Sequence, residues 1–192
     1  MIRSGSVSRK TRETDITVSV TLDGNGKSDI DTGIGFFDHM LEALSKHSGI
    51  SMSIHADGDL IVDCHHTIED TGIVLGQALA QALGDKGGIA RYGTAYIPMD
   101  EALSFCTLDI SNRPYLVFQG GYTAPMIGDY DTQMTEEFFR AFSFNAGITL
   151  HINQMYGTND HHKCEATFKA VAHALKTAIA ETGTTLSTKG AL

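Results

Sequence analysis

The chain has 192 residues, enough for one domain with a sizeable interior or for two half-size units sharing a core. With 42% hydrophobic and 19% charged residues it is neither a disordered nor a fibrous sequence. Its 14 basic side chains against 23 acidic ones leave a net charge of −9, which argues against nucleic acid or an anionic membrane as a partner.

The first residues, MIRSGSVSRKTRET, are polar and basic and lack the apolar stretch of a signal peptide. No apolar run is long enough for a membrane span. Ile16, Val18, Val20 and Leu22 alternate with Thr17, Ser19 and Thr21, which predicts a half-buried strand, and Asp23-Gly24-Asn25-Gly26 supplies a hairpin turn after it. Residues 37–44 read as a short helix that ends near Gly49 and feeds a strand over 50–55. His65-His66-Thr67-Ile68-Glu69 opens a second helix, with Ile68, Gly72, Leu75, Leu79 and Ala82 on one stripe and Gly84 as its stop.

A seam is expected near Gly87-Gly88. Beyond it, residues 103–110 and 115–118 read as a strand pair joined by Ser111-Asn112-Arg113-Pro114. Residues 136–142 read as a helix ending near Gly147 and feeding a strand over 148–152. His161-His162-Lys163-Cys164-Glu165 opens the last helix, and Cys164, Phe168, Val171, Leu175 and Ala178 repeat the earlier offsets. The tail over 182–192 is polar and loop-like. Each half therefore reads strand, strand, helix, strand, helix. One such half would leave a helix layer uncovered, and two packed together could bury it.

The two His-His-x-x-Glu motifs lie 96 residues apart, half the chain length. On a helix the first His and the Glu are i, i+4, and the second His and the Glu are i, i+3, so the carboxylate shares a face with either ring. The adjacent His side chains diverge by about 100° around the axis and so suit two different centres. Two copies joined by internal symmetry would bring four His and two Glu, the outline of a dinuclear metal site. Such ligands suit Mn, Fe, Co, Ni or Zn and disfavour the all-oxygen sites of Mg and Ca. A dinuclear hydrolase or a metal-storage protein could draw on the same ligands.

Other candidates have less context. His39 and His151 are lone histidines, read first as structural, and His47, His55 and His173 belong to no motif. Cys64, Cys106 and Cys164 are too few and too odd in number for a disulfide framework and suit a reducing cytosol. Arg91, Arg113, Lys169, Lys176 and Lys189 are isolated, and spacing alone makes them surface charges. Gly33-Ile34-Gly35 lacks the Lys-Ser/Thr of a phosphate-binding loop.

Nearly the whole chain nevertheless carries a resemblance. It runs through Arg9-Lys10-Thr11-Arg12-Glu13-Thr14, Gly35-Phe36-Phe37-Asp38-His39-Met40-Leu41 and Asp63-Cys64-His65-His66-Thr67-Ile68-Glu69-Asp70. It continues through Arg91-Tyr92-Gly93, Met99-Asp100-Glu101-Ala102-Leu103, Asp109-Ile110-Ser111-Asn112-Arg113-Pro114-Tyr115 and Thr149-Leu150-His151-Ile152. Asn159-Asp160-His161-His162-Lys163-Cys164-Glu165-Ala166 and Ser187-Thr188-Lys189-Gly190 complete it. In these stretches the chain closely resembles the imidazoleglycerol-phosphate dehydratase family.

The resemblance implies an α+β fold: a half-unit with a four-stranded sheet and two helices, duplicated so that the helices are sandwiched between the two sheets. With the seam above, the repeats would be 1–88 and 89–192, together one compact domain. It implies a cytoplasmic hydro-lyase of histidine biosynthesis that converts imidazole glycerol phosphate to imidazole-acetol phosphate and water. It also implies trimers and a 24-subunit particle with active sites between subunits. The implied ligands are His39, His65, His66, Glu69, His151, His161, His162 and Glu165, holding two Mn ions that stabilise an imidazolate. Glu13 would be the acid/base, and Arg91, Arg113, Lys169, Ser187 and Lys189 would bind phosphate. Three positions depart from the family pattern: Ala43 where Gln is frequent, Asn112 where Gly is, and Cys64 where Asp is.

Overall fold

Three strands of the main sheet precede the first helix of each half, one more than hydrophobic alternation indicates. In the computed structural model, which describes residues 2–187, the first half runs β1 (Ser4–Lys10), β2 (Thr14–Thr21), β3 (Ser28–Asp31), α1 (Gly35–Ser48), β4 (Ser51–Gly58) and α2 (His65–Leu83). The second runs β5 (Tyr92–Met99), β6 (Ala102–Ile110), β7 (Tyr115–Gln119), a short ribbon of β8 (Met126–Ile127) and β9 (Tyr130–Asp131), then α3 (Met134–Ala146), β10 (Ile148–Tyr156) and α4 (Asp160–Ala178). The unread strands are β1 and β5. Their core-facing positions are Gly5 and Val7, and Gly93, Ala95 and Ile97, too small a set to produce a clear alternation.

The two sheets share one topology. The first has the order β1-β2-β4-β3, with β1 and β4 antiparallel to β2 and β3 parallel to β4. The second has the order β5-β6-β10-β7, with the same directions. The segment over 23–26 therefore closes no hairpin, and neither does the one over 111–114: β4 lies between β2 and β3, and β10 lies between β6 and β7. A parallel return needs a crossover, supplied by α1 and α3, and the returning strand pairs with both earlier strands. The true hairpin turns are residues 11–13 and 100–101. Both will matter for the site.

The helices fill the space between the sheets. α2 rests on β1 and β2 and packs against α3, while α4 rests on β5 and β6 and packs against α1. One continuous core results, reaching from Val18 and Ile54 through Phe37, Phe138 and Phe168 to Leu108 and Leu150. Phe138 meets Phe37 edge-on at 5.3 Å and stacks on Phe168 at 5.4 Å. Burying each such ring contributes about 1.5–3 kcal/mol. No helix of the described residues is long and apolar enough to cross a membrane. α1 and α3 both end on a left-handed glycine, Gly49 at φ 78° and Gly147 at φ 69°.

The helices sit unusually close to the outer strands. A methyl group at Gly5 would lie 2.2 Å from the Ala78 carbonyl oxygen, and one at Gly93 would lie 1.9 Å from that of Ala174, 96 residues on from Ala78. Both neighbours are helix backbone and cannot turn aside. Gly93→Ala is expected to destabilise the protein by about 1–3 kcal/mol or more, measured by denaturant unfolding. Wild-type stability in that variant would show that α4 does not lie as close to β5 as described.

The helix pair α2–α3 is equally tight, because Gly72 and Gly76 admit the carbonyl oxygens of Phe138 and Phe142 at 2.8 and 2.6 Å from where a methyl group would lie. At the matching positions α4 carries Phe168 and Ala172. Asn112 has φ 56°, a left-handed conformation that glycine adopts freely and asparagine tolerates. Its side chain accepts a hydrogen bond from buried Lys86, whose Nζ also donates to the Ala146 carbonyl at 3.1 Å, at the end of α3. Burial pushes the Lys86 ammonium below its ordinary pKa.

Candidate metal centre

The second motif opens α4. Asn159 caps the helix, its side chain accepting from the His162 backbone N–H at 3.3 Å. One turn separates His161 from Glu165 and brings His161 Nε2 to 3.3 Å from Glu165 Oε2. Packing of α1 against α4 then delivers His39, whose Nε2 stands 3.6 Å from the same oxygen. Among the described residues this is the group of three or more His, Cys, Asp or Glu able to hold a metal ion. The spacing fits one: two ligands bound at about 2.1 Å and a near-tetrahedral angle lie about 3.3–3.5 Å apart. Two imidazoles and a carboxylate suit Mn, Fe, Co, Ni or Zn.

Glu165 is 7% exposed. Burial opposes its charge, but the hydrogen bond and charge of Lys169, then the charges of His39 and His161, outweigh burial and hold the carboxyl below its ordinary pKa. The carboxyl is thereby kept ionised, the form able to bind a metal ion. Lys169, expected from the resemblance to bind phosphate, is here the partner of Glu165 and also reaches Met99 Sδ at 3.8 Å.

The first motif opens α2 in the same way, with His65 Nε2 3.4 Å from Glu69 Oε2. The symmetry then fails. Ten residues before its cap glycine α1 has His39, whereas at that distance α3 has Glu137, which pairs with Arg140 at 3.5 Å. His151 lies on the exposed face of β10, opposite Thr107 and Val117, while its neighbours Leu150 and Ile152 point into the core. The chain thus brings together His39, His161 and Glu165, separately pairs His65 with Glu69, and leaves His151 on the outer side of the second sheet.

His66 and His162 turn away from their neighbours. In both motifs the adjacent rings are 6.1 Å apart, inclined at 71° and 79°. His66 Nδ1 meets Asp59 Oδ2 at 3.0 Å, and His162 Nδ1 meets Glu101 Oε2 at 2.7 Å. These hydrogen bonds raise the pKa of both rings. On the Nε2 side, Glu13 Oε1 stands 3.9 Å from His66 and Asp100 Oδ2 stands 3.8 Å from His162. Glu13 belongs to the β1–β2 turn and Asp100 to the equivalent β5–β6 turn, so each hairpin presents a carboxylate to the second histidine of its half.

The remaining phosphate candidates gather elsewhere. Arg91 donates from Nε to Asp109 at 2.6 Å, from a terminal nitrogen to the same carboxylate at 3.1 Å, and to the Leu186 carbonyl at 2.6 Å. Arg113 reaches Asp109 at 3.3 Å, and Ser187 follows Leu186 in the chain. Lys189 lies outside the described residues. The Arg91 backbone N–H donates to the Ala178 carbonyl at the end of α4, and Lys169 lies nine residues earlier on that helix, so at 1.5 Å per residue the two positions are about 14 Å apart.

Cys64 is buried, and burial pushes its thiol pKa up. Its counterpart 96 residues on, Asp160, accepts from the Thr123 and Ala124 backbone N–H groups at 2.9 and 2.6 Å and pairs with Lys163. Holding the 121–124 segment against α4 requires the carboxylate there. Cys64 instead helps line a 450 Å³ cavity with Asp63, His65, Asp129, Asp131 and Met134. Asp59 belongs to no motif, and Asp100, Glu101 and Asp109 lie in stretches that carry the resemblance without a role that sequence reasoning assigns them.

The family model for imidazoleglycerol-phosphate dehydratase matches residues 32–175. The chain belongs to this family. Imidazoleglycerol-phosphate dehydratases are hydro-lyases of histidine biosynthesis, and the chain shares that activity. It is 55% identical to the imidazoleglycerol-phosphate dehydratase of Symbiobacterium thermophilum, over 99% of this chain and 93% of that one. The dehydratase of Methylorubrum extorquens is 53% identical over the full length of both chains. Crystal structures of the family superpose well. That from Staphylococcus aureus has a TM-score of 0.85 at 44% identity, covering 93% of this chain and 99% of that one. That from Pyrococcus furiosus has a TM-score of 0.85 at 38% identity, covering 97% and 100%. The duplicated architecture described above is thus the dehydratase fold.

Proposed function

We propose that the chain converts imidazole glycerol phosphate to imidazole-acetol phosphate and water at a site holding two Mn ions, and that the site is completed only when copies of the chain assemble. The observation that carries this is the separation of the parts. One chain gathers three ligands at one place and two at another, turns His151 outward, and holds Arg91 about 14 Å along α4 from Lys169. Trimers within a 24-subunit particle would let the outward His151 and the arginines of one copy meet the histidines of another. Repeats 1–88 and 89–192 would each contribute one motif. Three buried free cysteines support a cytoplasmic setting.

Mn ions bound there would supply Lewis acidity and so favour the anionic form of the substrate ring. His39, His65, His66, His151, His161 and His162, with Glu69 and Glu165, would hold them. Arg91, Arg113, Lys169, Ser187 and Lys189 would bind the phosphate and so fix the side chain. Asp109 keeps the Arg91 fork aimed, engaging both Nε and a terminal nitrogen. Glu13 would take the proton from the side-chain carbon beside the departing hydroxyl. Loss of that proton and of hydroxide makes one water and an enol, which becomes the ketone.

The test is product formation by the purified protein reconstituted with Mn, paired with metal analysis and sedimentation. Imidazole-acetol phosphate should appear only in the assembled, metal-loaded form. Turnover by a monomer, or release of inorganic phosphate in place of the acetol product, would reject the reading.

A further inference from the structure

The two motifs are alike in sequence, but their second histidines are held from different places. His66 is met by Asp59 from the loop between β4 and α2. His162 is met by Glu101 from the β5–β6 hairpin turn, 61 residues away in the chain. Glu101 makes further contacts. Its Oε1 accepts from the Thr158 backbone N–H at 3.0 Å, the Thr158 hydroxyl at 3.2 Å and the Asn159 backbone N–H at 2.7 Å. Its Oε2 accepts from His162 Nδ1 at 2.7 Å. Asn159 in turn accepts from the His162 backbone N–H. One carboxylate therefore holds the ring of His162 directly and its backbone through the residue that caps α4.

We propose that Glu101 is the positioning residue that makes His162 a metal ligand, by fixing the proton of the ring at Nδ1. This rests on the metal-centre reading above. An ionised carboxylate has no proton to give, so Nδ1 must be the donor. A neutral imidazole with its proton at Nδ1 carries its lone pair at Nε2, the nitrogen on the side away from Glu101. A carboxylate behind a ligating imidazole fixes its tautomer and direction. The clamp on Thr158 and Asn159 adds a second constraint, because the ring cannot swing without moving the start of α4.

Glu101→Gln separates these roles. The amide oxygen can keep the Thr158 and Asn159 contacts, which leaves the NH2 group against Nδ1. That group donates, so His162 must accept at Nδ1 and carry its proton at Nε2, where it blocks the metal. Titrating chelator-stripped protein with Mn, read by the spin-resonance signal of free Mn, should show an affinity at one centre about 10–100-fold weaker than wild type. Circular dichroism and sedimentation should be unchanged. In a His162→Asn background the same substitution should weaken Mn binding no further, since the group through which Glu101 acts is gone.

Wild-type Mn affinity in Glu101→Gln, or a full additional loss in the double variant, would overturn the proposal. If wild-type protein itself takes up no Mn, the metal-centre reading and this proposal fall together. If wild type binds and Glu101→Gln binds equally well, only this proposal falls.

Discussion

Glu165→Ala is expected to reduce bound metal from about two ions per chain to about one and to lower turnover by about 10³-fold or more. The carboxylate is the group on which His39 and His161 converge, at 3.6 and 3.3 Å. Each histidine comes from a different helix, so the substitution removes the only oxygen of a three-ligand group and leaves two imidazoles. A bound ion contributes several kcal/mol of charge stabilisation to a reaction, and each 1.36 kcal/mol is a factor of ten in rate. Folding should also weaken, because removing one partner of this mostly buried pair leaves the Lys169 ammonium without its carboxylate, so circular dichroism must show the variant folded. Elemental analysis after gel filtration is the direct measurement. Two metals per chain in the variant would remove Glu165 from the ligand set.

Glu13→Gln should act on turnover alone. Glu13 lies in the β1–β2 turn, half exposed, with Oε1 3.9 Å from His66 Nε2. It can therefore reach a substrate proton near the centre without itself completing the ligand group around Glu165. The amide preserves shape and hydrogen bonding but cannot accept a proton, and loss of such a group costs about 10²–10⁴-fold. Metal content and substrate affinity should match wild type. Wild-type turnover in a sample verified to hold its metal would reject the proton-transfer role.

What could be read before folding follows from how local each signal is. The doubled His-His-x-x-Glu was legible because helical periodicity converts spacing into geometry, and His65–Glu69 and His161–Glu165 do meet at 3.4 and 3.3 Å. Gly49 and Gly147 were legible as helix ends because a left-handed cap strongly favours glycine. β1 and β5 were not, because their inner faces are made of Gly5, Gly93 and Ala95, chosen by the nearness of the helices rather than by hydrophobicity. Strand order was missed for another reason. Adjacency along the chain suggested pairing of β2 with β3 and of β6 with β7, whereas the crossover helices return β4 and β10 between them.

The site divides along the same line. His39 looks structural when read alone, and only the packing of α1 on α4 gives it company. Resemblance named it; periodicity could not. Arg91, Arg113 and Lys169 came from resemblance too, and the pairing of the two arginines with Asp109, away from Lys169, is visible only in three dimensions. The roles of Glu101 and Asp59 stayed hidden because a carboxylate in a loop carries no periodic signal, although each engages the ring of a proposed ligand.

The glycine notch of α2 has an evolutionary consequence. Gly72 and Gly76 receive the backbone of α3, while the same turn of α4 is filled by Phe168, fully buried, stacked on Phe138 and tilted against Phe139. The halves have become complementary rather than interchangeable. A tandem array of two first halves would leave the volume of the Phe168 ring empty, at a cost of about 3–5 kcal/mol or more. An array of two second halves would drive a phenylalanine into a notch that admits not even a methyl group. Separately expressed halves should accordingly recombine with each other and not with themselves. Replacement of either copy of the repeat by the other within the gene is then disfavoured, since either product encodes a chain whose halves no longer fit at this point.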